Sequence, residues 1–440
     1  MKRRLFLSAA ALGTAAVSTG CLSGTGGSAG TGAGSAAAPS GAASTPTTPI
    51  KLSFSTYAFQ EPTVKATQEI VDSWNKANPN ITVELQKVDA SSVHDKLVTQ
   101  FAGGSAPDII HDESADLAGF SAQGYLADLT SLIPAALKSD VADSVWKSVT
   151  YGGKITGIPT IAQVYNVFVN TDLLQKAGIA VPTADKPWTY DDLAANAKKL
   201  SSGDNFGFAW GLKSPTAGLM NAGLAFGGTF VTGDEGKPTM KVGDAELELP
   251  KRIMAMINDK AMAPTSVSMS GTEVLPGFYA GKYAMVMAGN YVATQIKSAA
   301  PATLKWTMIP LIKGTSQNQA AGPQTLSVAK QSKYPQQAMA FINHYMTAEK
   351  LAAIGIGDSL IPVTKSAGDI AAKQLGTTNG WDVILKSGAN LADAPWFKAT
   401  KFAQWKSDIA TPQYQQFLQA KIDLATLGKN LSDGWVKVNS

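Results

Sequence analysis

The chain has 440 residues, of which 45% are hydrophobic and 16% are charged, a globular composition with enough length for two domains. Three of the 37 basic residues lie in the first four positions, so the remaining basic residues exceed the 33 acidic ones by only one. This balance excludes the basic surface that nucleic-acid binding requires. Arg252 is the only arginine beyond those positions, which argues against a strongly anionic ligand because arginine makes bidentate contacts to phosphate and carboxylate.

The N-terminus has the pattern of an export signal over residues 1–20. Lys2, Arg3 and Arg4 precede an apolar stretch at residues 5–17, which is too short for an ordinary membrane span. The adjacent arginines leave two routes open, twin-arginine export and general export. On either route the pattern predicts an exported protein.

The only cysteine, Cys21, stands where this signal should end, and a single cysteine cannot form an internal disulfide. The small residues before it resemble the processing site of bacterial lipoproteins, although Ser18 stands where leucine is usual. Residues 22–49 are almost entirely Gly, Ser, Ala, Thr and Pro, a composition that predicts a flexible tether. We therefore expect residues 21–49 to be a lipid-anchored linker that holds the protein, through Cys21, at the outer face of the cytoplasmic membrane.

Strand and helix patterns alternate from residue 50 onward. Strands are predicted at residues 50–57, 81–88 and 108–111, and helices between them at residues 61–77 and 93–101. This alternation predicts right-handed crossovers and a largely parallel sheet. Ligands of such sheets meet the loops that follow the C-terminal ends of the strands. Residues 57–61 and 112–114 are those loops here.

The rest of the chain repeats this organisation. Extended segments are predicted at residues 158–170, 305–310 and 326–329, and helices at residues 171–177, 189–200, 215–226, 249–260, 291–299 and 335–353. The tail, residues 396–435, has mostly helical patterns that are polar on one side. An α/β fold is the expected class.

Several short segments then carry a family resemblance. They are WNKANPNITV at 74–83, FAGGSAPDII at 101–110, GKITGIP at 153–159, and the segments 124–129, 169–179, 188–193, 278–285, 289–291 and 332–333. In number, order and spacing they resemble the extracellular solute-binding proteins of bacterial ABC importers. The resemblance is to the maltose-binding-protein-like group that takes up sugars and oligosaccharides, and it runs from residue 50 to the C-terminus.

The resemblance implies a periplasmic-binding-protein-like fold with two α/β lobes, strands that cross between them and a ligand cleft. The first lobe would contain residues 50–162 and 310–360, and the second lobe residues 163–308 and 362–440. Residues 158–167 would make the first crossing. The resemblance further implies a monomer that closes its lobes on a sugar or oligosaccharide and delivers it to ABC permease subunits in the membrane.

Sugar chemistry and the resemblance together predict the ligand contacts. Because a sugar presents hydroxyl groups at its edge and C–H faces above and below, its site combines aromatic and polar side chains. Candidates at the strand ends and the crossing are Tyr57, Gln60, Glu61, Asp112, Glu113, Gln163 and Tyr165. The resemblance adds Trp210, Asn290, Tyr291, Gln324 and Trp396. For Glu61 the alternative role is to stabilise a helix dipole at its N-terminus.

Cofactor chemistry is not expected. His94, His111 and His344 are scattered without the spacing of a metal site. No phosphate-binding loop of the ATPase type occurs, so ATP hydrolysis would come from a separate subunit. We expect neither a metal nor a cofactor.

Two alternatives to sugar capture stay open. Asp112 and Glu113 superficially satisfy the two-carboxylate requirement of an exported glycosidase, but adjacent residues on an extended segment point apart. The same fold could also bind a peptide, a polyamine or a metal chelate. We favour binding of a sugar without catalysis.

Overall fold

The computed structural model describes residues 48–89, 92–233, 235 and 237–440. The predicted export signal, Cys21 and nearly all of the predicted tether lie outside the described residues. No helix in the described ranges is both long and apolar enough to cross a membrane.

The strands confirm the α/β class. In chain order they are β1 (Ile50–Thr56), β2 (Ile81–Lys87), β3 (Ile109–Glu113), β4 (Thr150–Tyr151), β5 (Lys154–Ile155), β6 (Ile158–Ala162), β7 (Tyr165–Asn170), β8 (Phe206–Trp210), β9 (Val231–Thr232), β10 (Thr239–Met240), β11 (Tyr283–Gly289), β12 (Trp306–Met308), β13 (Gln319–Ala320), β14 (Pro323–Val328), β15 (Ile361–Pro362) and β16 (Leu391–Ala392). The predicted strand at residues 108–111 extends to Glu113, so Asp112 and Glu113 belong to strand β3 and not to the loop after it.

The helices account for most of the remaining chain. They are α1 (Glu61–Ala77), α2 (Val93–Ala102), α3 (Ser114–Ala122), α4 (Ala135–Asp140), α5 (Asp143–Ser148), α6 (Thr171–Lys176), α7 (Tyr190–Leu200), α8 (Pro215–Gly223), α9 (Asp244–Asn258), α10 (Leu275–Tyr279), α11 (Val292–Ala299), α12 (Pro335–Tyr345), α13 (Ala348–Asp358), α14 (Lys365–Leu375), α15 (Trp381–Lys386), α16 (Phe402–Trp405), α17 (Thr411–Leu418) and α18 (Leu424–Asn439). The helix predicted at residues 335–353 is two helices, α12 and α13, separated by Met346 and Thr347.

Local signals explain the first of these helices. Helix α1 begins with Glu61 and Pro62, an acidic residue that suits the helix dipole and a proline whose missing N–H is not needed in the first turn. Ile70, Val71 and Trp74 lie on its buried face. The helix ends before Asn78, where the chain turns into strand β2.

A six-stranded sheet with the order β15-β6-β14-β3-β1-β2 forms the first layer. Strand β1 pairs in parallel with β2 and β3, as the alternation predicts. Strand β14 instead runs antiparallel between β3 and β6, so the sheet is mixed. Its register places Gln324 opposite Glu113 and Thr325 opposite Asp112, which brings a distant part of the chain to the C-terminal end of β3.

A second, four-stranded sheet has the order β12-β7-β11-β8. All seven residues of β11 are buried, because helices and loops cover both faces of this sheet. Two hydrophobic clusters fill the interior. The first contains Leu52 and Phe54 of the six-stranded sheet together with Val286 of β11, so it joins the two sheets, and the second contains Phe208 of β8 and Trp405.

The chain passes between the sheets directly through Gln163 and Val164, which join β6 of the first sheet to β7 of the second. The lobe boundaries stay a prediction. One strand departs from them, since Pro362 pairs with Ile161 in the six-stranded sheet although the predicted division assigns it to the second lobe. Helix α14 then packs on α13 beside that sheet. The chain therefore stays with the six-stranded sheet through β15 and α14.

Gly207 in β8 gives a test of how closely helix α7 packs on the second sheet. A Cβ atom at Gly207 would overlap the carbonyl oxygen of Ala197, whereas a Cβ atom at Gly368, inside helix α14, would meet nothing within 4 Å. We expect Gly207→Ala to lower the free energy of unfolding by about 2–3 kcal/mol through overpacking. Gly368→Ala should raise it by about 0.5–1 kcal/mol, because alanine is the better helix former. Urea unfolding of both variants checks this, and a neutral Gly207→Ala would contradict the packing.

Candidate functional site

A cavity of about 510 Å³ lies between the two sheets, at the C-terminal ends of β1 and β3. It is lined by Tyr57, Phe59, Gln60, Glu113, Ser114, Ala115, Gln163, Tyr165, Ala217, Met220, Asn221, Thr272, Tyr291, Gln295, Gly322, Gln324, Asp358, Leu360, Trp396, Phe397, Phe402 and Lys406. Its walls come from both sheets and from the segment that joins them. A ligand in this cavity would therefore contact elements of both layers.

The buried ring of His111 supports the floor on the side of the first sheet. Its Nδ1 lies 2.8 Å from Thr56 Oγ1, and its Nε2 lies 2.9 Å from Gln324 Oε1. Because an amide oxygen only accepts, Nε2 carries the proton and Nδ1 accepts from the threonine hydroxyl. Burial lowers the pKa of His111 to about 4, so the ring is neutral at neutral pH. Tyr57 stacks on this ring with centroids 4.4 Å apart.

Asp112 and Glu113 point to opposite sides of strand β3, as adjacent strand residues do. Asp112 is buried behind the cavity wall, where its Oδ1 accepts a hydrogen bond of 2.8 Å from the backbone N–H of Glu113. Glu113 lines the cavity and is exposed to it. Burial raises the pKa of Asp112 well above its ordinary value. Desolvation by the surrounding protein also raises the pKa of Glu113, and nearby Lys406 opposes this shift.

Asp358, at the end of α13, is a second carboxylate on the cavity. It accepts a hydrogen bond of 2.6 Å from Thr63 Oγ1 and one of 3.3 Å from Gln60 Nε2. Gln60 also donates to the backbone oxygen of Asp358 at 3.0 Å. Desolvation nevertheless raises the pKa of Asp358 to about 6, since these hydrogen bonds only partly offset its burial. Gln60 thus joins the loop after β1 to the end of α13.

The connection between the sheets is held by side-chain amides. Gln319 accepts a hydrogen bond of 2.7 Å from the backbone N–H of Tyr165. It also donates a hydrogen bond of 2.9 Å to the backbone carbonyl oxygen of the same tyrosine. Asn290 accepts from the backbone N–H of Val164 at 3.2 Å. These contacts fix the backbone on which Gln163 and Tyr165 present their side chains to the cavity.

Aromatic rings supply much of the remaining wall. Phe59 is 62% exposed at the loop after β1, and Tyr291 is half-buried at the start of α11. Trp396 and Phe397 lie on the opposite side, with ring centroids 5.6 Å apart. Gly322 lies against Phe397, and a Cβ atom there would come within 2.7 Å of the ring. Rings of this kind suit the C–H faces of a sugar.

The cavity brings together two thirds of the residues named from the sequence. Those that line it are Tyr57, Gln60, Glu113, Gln163, Tyr165, Tyr291, Gln324 and Trp396. Their roles as ligand contacts stay a prediction.

The other four do not line the cavity. Glu61 is exposed in the first turn of α1, the position of its alternative role at the helix dipole. Asp112 faces away from the cavity, and Asn290 is fully buried beside Val164. Trp210 is only 1% exposed, because Tyr165 and Gly218 of helix α8 pack against it and separate it from the cavity.

Several cavity residues have no clear signal in the sequence. Phe59 could have been found, since it lies in the same loop as Tyr57. Asp358, Phe397 and Lys406 follow no motif, and only their tertiary position brings them to the cavity. Lys406 begins a π-helix, Lys406–Ala410, a rare form that often occurs at functional sites.

The described residues of the site form no arrangement typical of a metal centre. Within the described residues, no group of three or more His, Cys, Asp or Glu side chains could hold a metal ion. The two cavity carboxylates, the amides and the aromatic rings are instead the groups that bind hydroxyl-rich organic ligands.

Comparison with known proteins gives consistent matches. Residues 56–352 match the family described as bacterial extracellular solute-binding protein. A lipoprotein encoded in the oleD 5' region of Streptomyces antibioticus is 34% identical over 382 residues, which cover 86% of this chain and 84% of that protein. The lactose-binding protein of Rhizobium radiobacter is 26% identical over 63% of this chain and 66% of its own length.

Among solved structures, the sugar-binding protein MalE from Xanthomonas citri superposes with a TM-score of 0.76. The match covers 88% of this chain and 97% of that protein, at 16% sequence identity. At this identity the likeness is one of fold, and it confirms the predicted two-lobed periplasmic-binding-protein-like architecture.

Asp358 gives a test of the electrostatics of the site. Its raised folded-state pKa, about 6 against an ordinary 3.8, makes the ionised form costly above pH 6, and this cost disappears as the pH falls toward 4. Asp358→Asn should therefore increase stability at pH 8, by up to roughly 3 kcal/mol, and the gain should vanish near pH 4. Urea unfolding across this range measures it.

Asp128→Asn is the matched control with the opposite sign. Hydrogen bonds from Thr130 lower the pKa of Asp128, so its carboxylate contributes stability above its ordinary pKa that is lost as the pH falls. The asparagine variant should be destabilised at pH 8. A pH-independent effect of Asp358→Asn would contradict the account of the buried carboxylate.

Proposed function

Because the chain belongs to the family of bacterial extracellular solute-binding proteins, we propose that it captures a sugar or oligosaccharide in the cavity between its two sheets and delivers it to an ABC importer. The cavity is the single observation that supports this most. Aromatic faces at Phe59, Tyr291 and Phe397 stand beside amide and carboxylate groups, the combination that sugar faces and sugar hydroxyls require. The lactose-binding relative and the sugar-binding structural neighbour add support.

Release without chemical change is part of this proposal. Strand alternation separates Asp112 from Glu113, so this pair cannot flank one glycosidic bond as the carboxylates of a glycosidase do. Asp358, the other cavity carboxylate, accepts hydrogen bonds from Thr63 and Gln60. The two cavity carboxylates, Glu113 and Asp358, are suited to accept hydrogen bonds from ligand hydroxyls.

Closure of two lobes is the mechanism we propose. The first lobe would be residues 50–162 and 310–360, and the second residues 163–308 and 362–440. Tyr57 and Glu113 would contact the ligand from one side, and Phe397 and Lys406 from the other. A ligand that touches both sides has higher affinity for the closed state, and this difference is what drives closure.

Export and anchoring complete the proposal. Residues 1–20 would direct export, and Cys21 would carry the lipid that holds the protein on the outer face of the membrane, close to its permease. The relative from Streptomyces antibioticus, whose name describes it as a lipoprotein, supports this part.

The function is tested by titration of the purified protein with a panel of oligosaccharides. At a free ligand concentration near 100 times its dissociation constant, the bound sugar should stabilise the fold by about 2.7 kcal/mol. Chromatography after prolonged incubation should recover the ligand unchanged. Absence of binding to every saccharide, or cleavage that scales with protein concentration, would contradict the proposal.

Phe59 is the sharpest single probe of the aromatic wall. Its ring is 62% exposed, so Phe59→Ala should leave the melting temperature of the free protein nearly unchanged. Loss of a stacking contact worth about 0.5–1.5 kcal/mol should weaken sugar binding by roughly 2- to 12-fold. Val436→Ala removes a side chain that is 67% exposed outside the cavity lining and should leave affinity unaltered. Equal affinities of the two variants would remove Phe59 from the site.

Anchoring is tested at Cys21. In cells fed a labelled lipid precursor, the wild-type protein should be labelled and should sediment with membranes. Cys21→Ser removes the thiol to which the lipid attaches, so this variant should be unlabelled and soluble after export. Retention of label and membrane association in Cys21→Ser would refute lipidation at this position.

A further inference from the structure

The cavity has an excess of negative charge on one side. Glu113 and Asp358 line it, and Lys406 is the only cationic side chain among its described lining residues. Two further carboxylates, Asp112 and Asp116, act on Glu113 or on the nearby Tyr57 hydroxyl. Asp116 has a partner of its own, because His94 Nδ1 lies 3.0 Å from its Oδ1. The remaining carboxylates have no cation within ion-pair distance among the described residues.

An unpartnered polar atom lies at the same place. The ring of Tyr57 lines the cavity, the residue is only 7% exposed, and its buried hydroxyl has no hydrogen-bond partner in the described part of the chain. Burial raises the pKa of Tyr57, and Glu113, Asp112 and Asp358 raise it further, in that order. Unsatisfied buried groups are costly, which indicates that the floor is incomplete without a ligand.

A positively charged group would compensate this floor better than a neutral hydroxyl. A hydroxyl donates one hydrogen bond and leaves the net charge in place, whereas an ammonium group donates up to three and neutralises charge. Charge-assisted hydrogen bonds are about twice as strong as neutral ones. Desolvation already opposes ionisation of Glu113 and Asp358, so a bound cation would recover free energy that the empty site loses.

The rest of the cavity favours an organic cation with a ring. The described carboxylates do not form a three-ligand group for a metal ion. The rings of Phe59, Tyr291 and Phe397 suit the faces of a sugar, and aromatic faces also attract ammonium groups. Amide groups at Gln163 and Gln324 can bind neutral hydroxyls of the same ligand.

Resting on the proposed carbohydrate-binding function, we propose that the preferred ligand is an amine-bearing saccharide, whose ammonium group lies beside Glu113 on the Tyr57 floor and whose ring faces the aromatic wall. Asp358 adds to the attraction at longer range. Lys406 opposes it, which makes Glu113 the residue that determines specificity.

Matched saccharides test this directly. The probes are maltotriose, its three positional forms in which one 6-hydroxyl is replaced by a primary amine, and the N-acetylated derivatives of those amines. Isothermal titration at pH 7.5 and low salt should show at least one amine binding about tenfold more tightly than maltotriose and than its own neutral N-acetyl form. High salt should reduce the preference.

Variants of the full chain identify the group responsible. Glu113→Gln should bring the ratio of amine affinity to maltotriose affinity close to one, whereas Lys406→Met should increase it. Glu349→Gln, on the exposed first turn of α13 and outside the cavity lining, should keep the wild-type ratio. Circular dichroism checks that each variant is folded.

The outcomes separate this inference from the function on which it rests. Equal or tighter binding of maltotriose would overturn the amine preference and leave sugar capture intact. An unchanged ratio in Glu113→Gln would overturn the placement of the ammonium group beside Glu113, and it too would leave sugar capture intact. Binding of spermidine with no binding of any saccharide would overturn both, because the site would then recognise a polyamine. Failure of every probe to bind would also contradict both.

Discussion

The ring of His111 is the interaction on which the candidate site depends. It joins Thr56 of β1, its own strand β3 and Gln324 of β14, and it supports Tyr57 from below. Gln324 lies 213 residues along the chain from His111 and Thr56 lies 55 residues from it, and the shared buried hydrogen-bond network holds the three strand ends in one arrangement. Since both ring nitrogens have partners and the ring is neutral, the network adds no charge. Among the described lining residues, Glu113, Asp358 and Lys406 therefore set the charge of the cavity.

Two neighbouring residues of β3 have different roles because their side chains point to opposite sides of the strand. Asp112 faces the protein and binds the backbone of Glu113, while Glu113 faces the cavity. Across the cavity, the second sheet is tied to the first through the backbone of Val164 and Tyr165, which Asn290 and Gln319 hold. A short, well-bonded connection of this kind lets two rigid layers move about few residues. It also explains why a binding site between them can respond to a ligand as a whole.

The sequence predicted the local structure of the first sheet well and the tertiary position of distant residues poorly. The bounds of α1 follow from its apolar spacing, Pro62 and the turn at Asn78, all of which are local signals. Trp210 has the local signal of a platform, a strand end beside a glycine, yet helix α8 covers it through Gly218. Asp358 and Lys406 reach the cavity only because α13 and the π-helix pack where they do. Such placement depends on long-range packing that periodicity does not contain.

A ligand that contacts both sides of the cavity would favour a closed arrangement of the two lobes. Small-angle X-ray scattering of the protein, alone and with a saturating saccharide identified by titration, tests this most directly. The radius of gyration should be smaller in the presence of the ligand, because contact with both walls stabilises the closed state. An unchanged radius of gyration at proven saturation would contradict it.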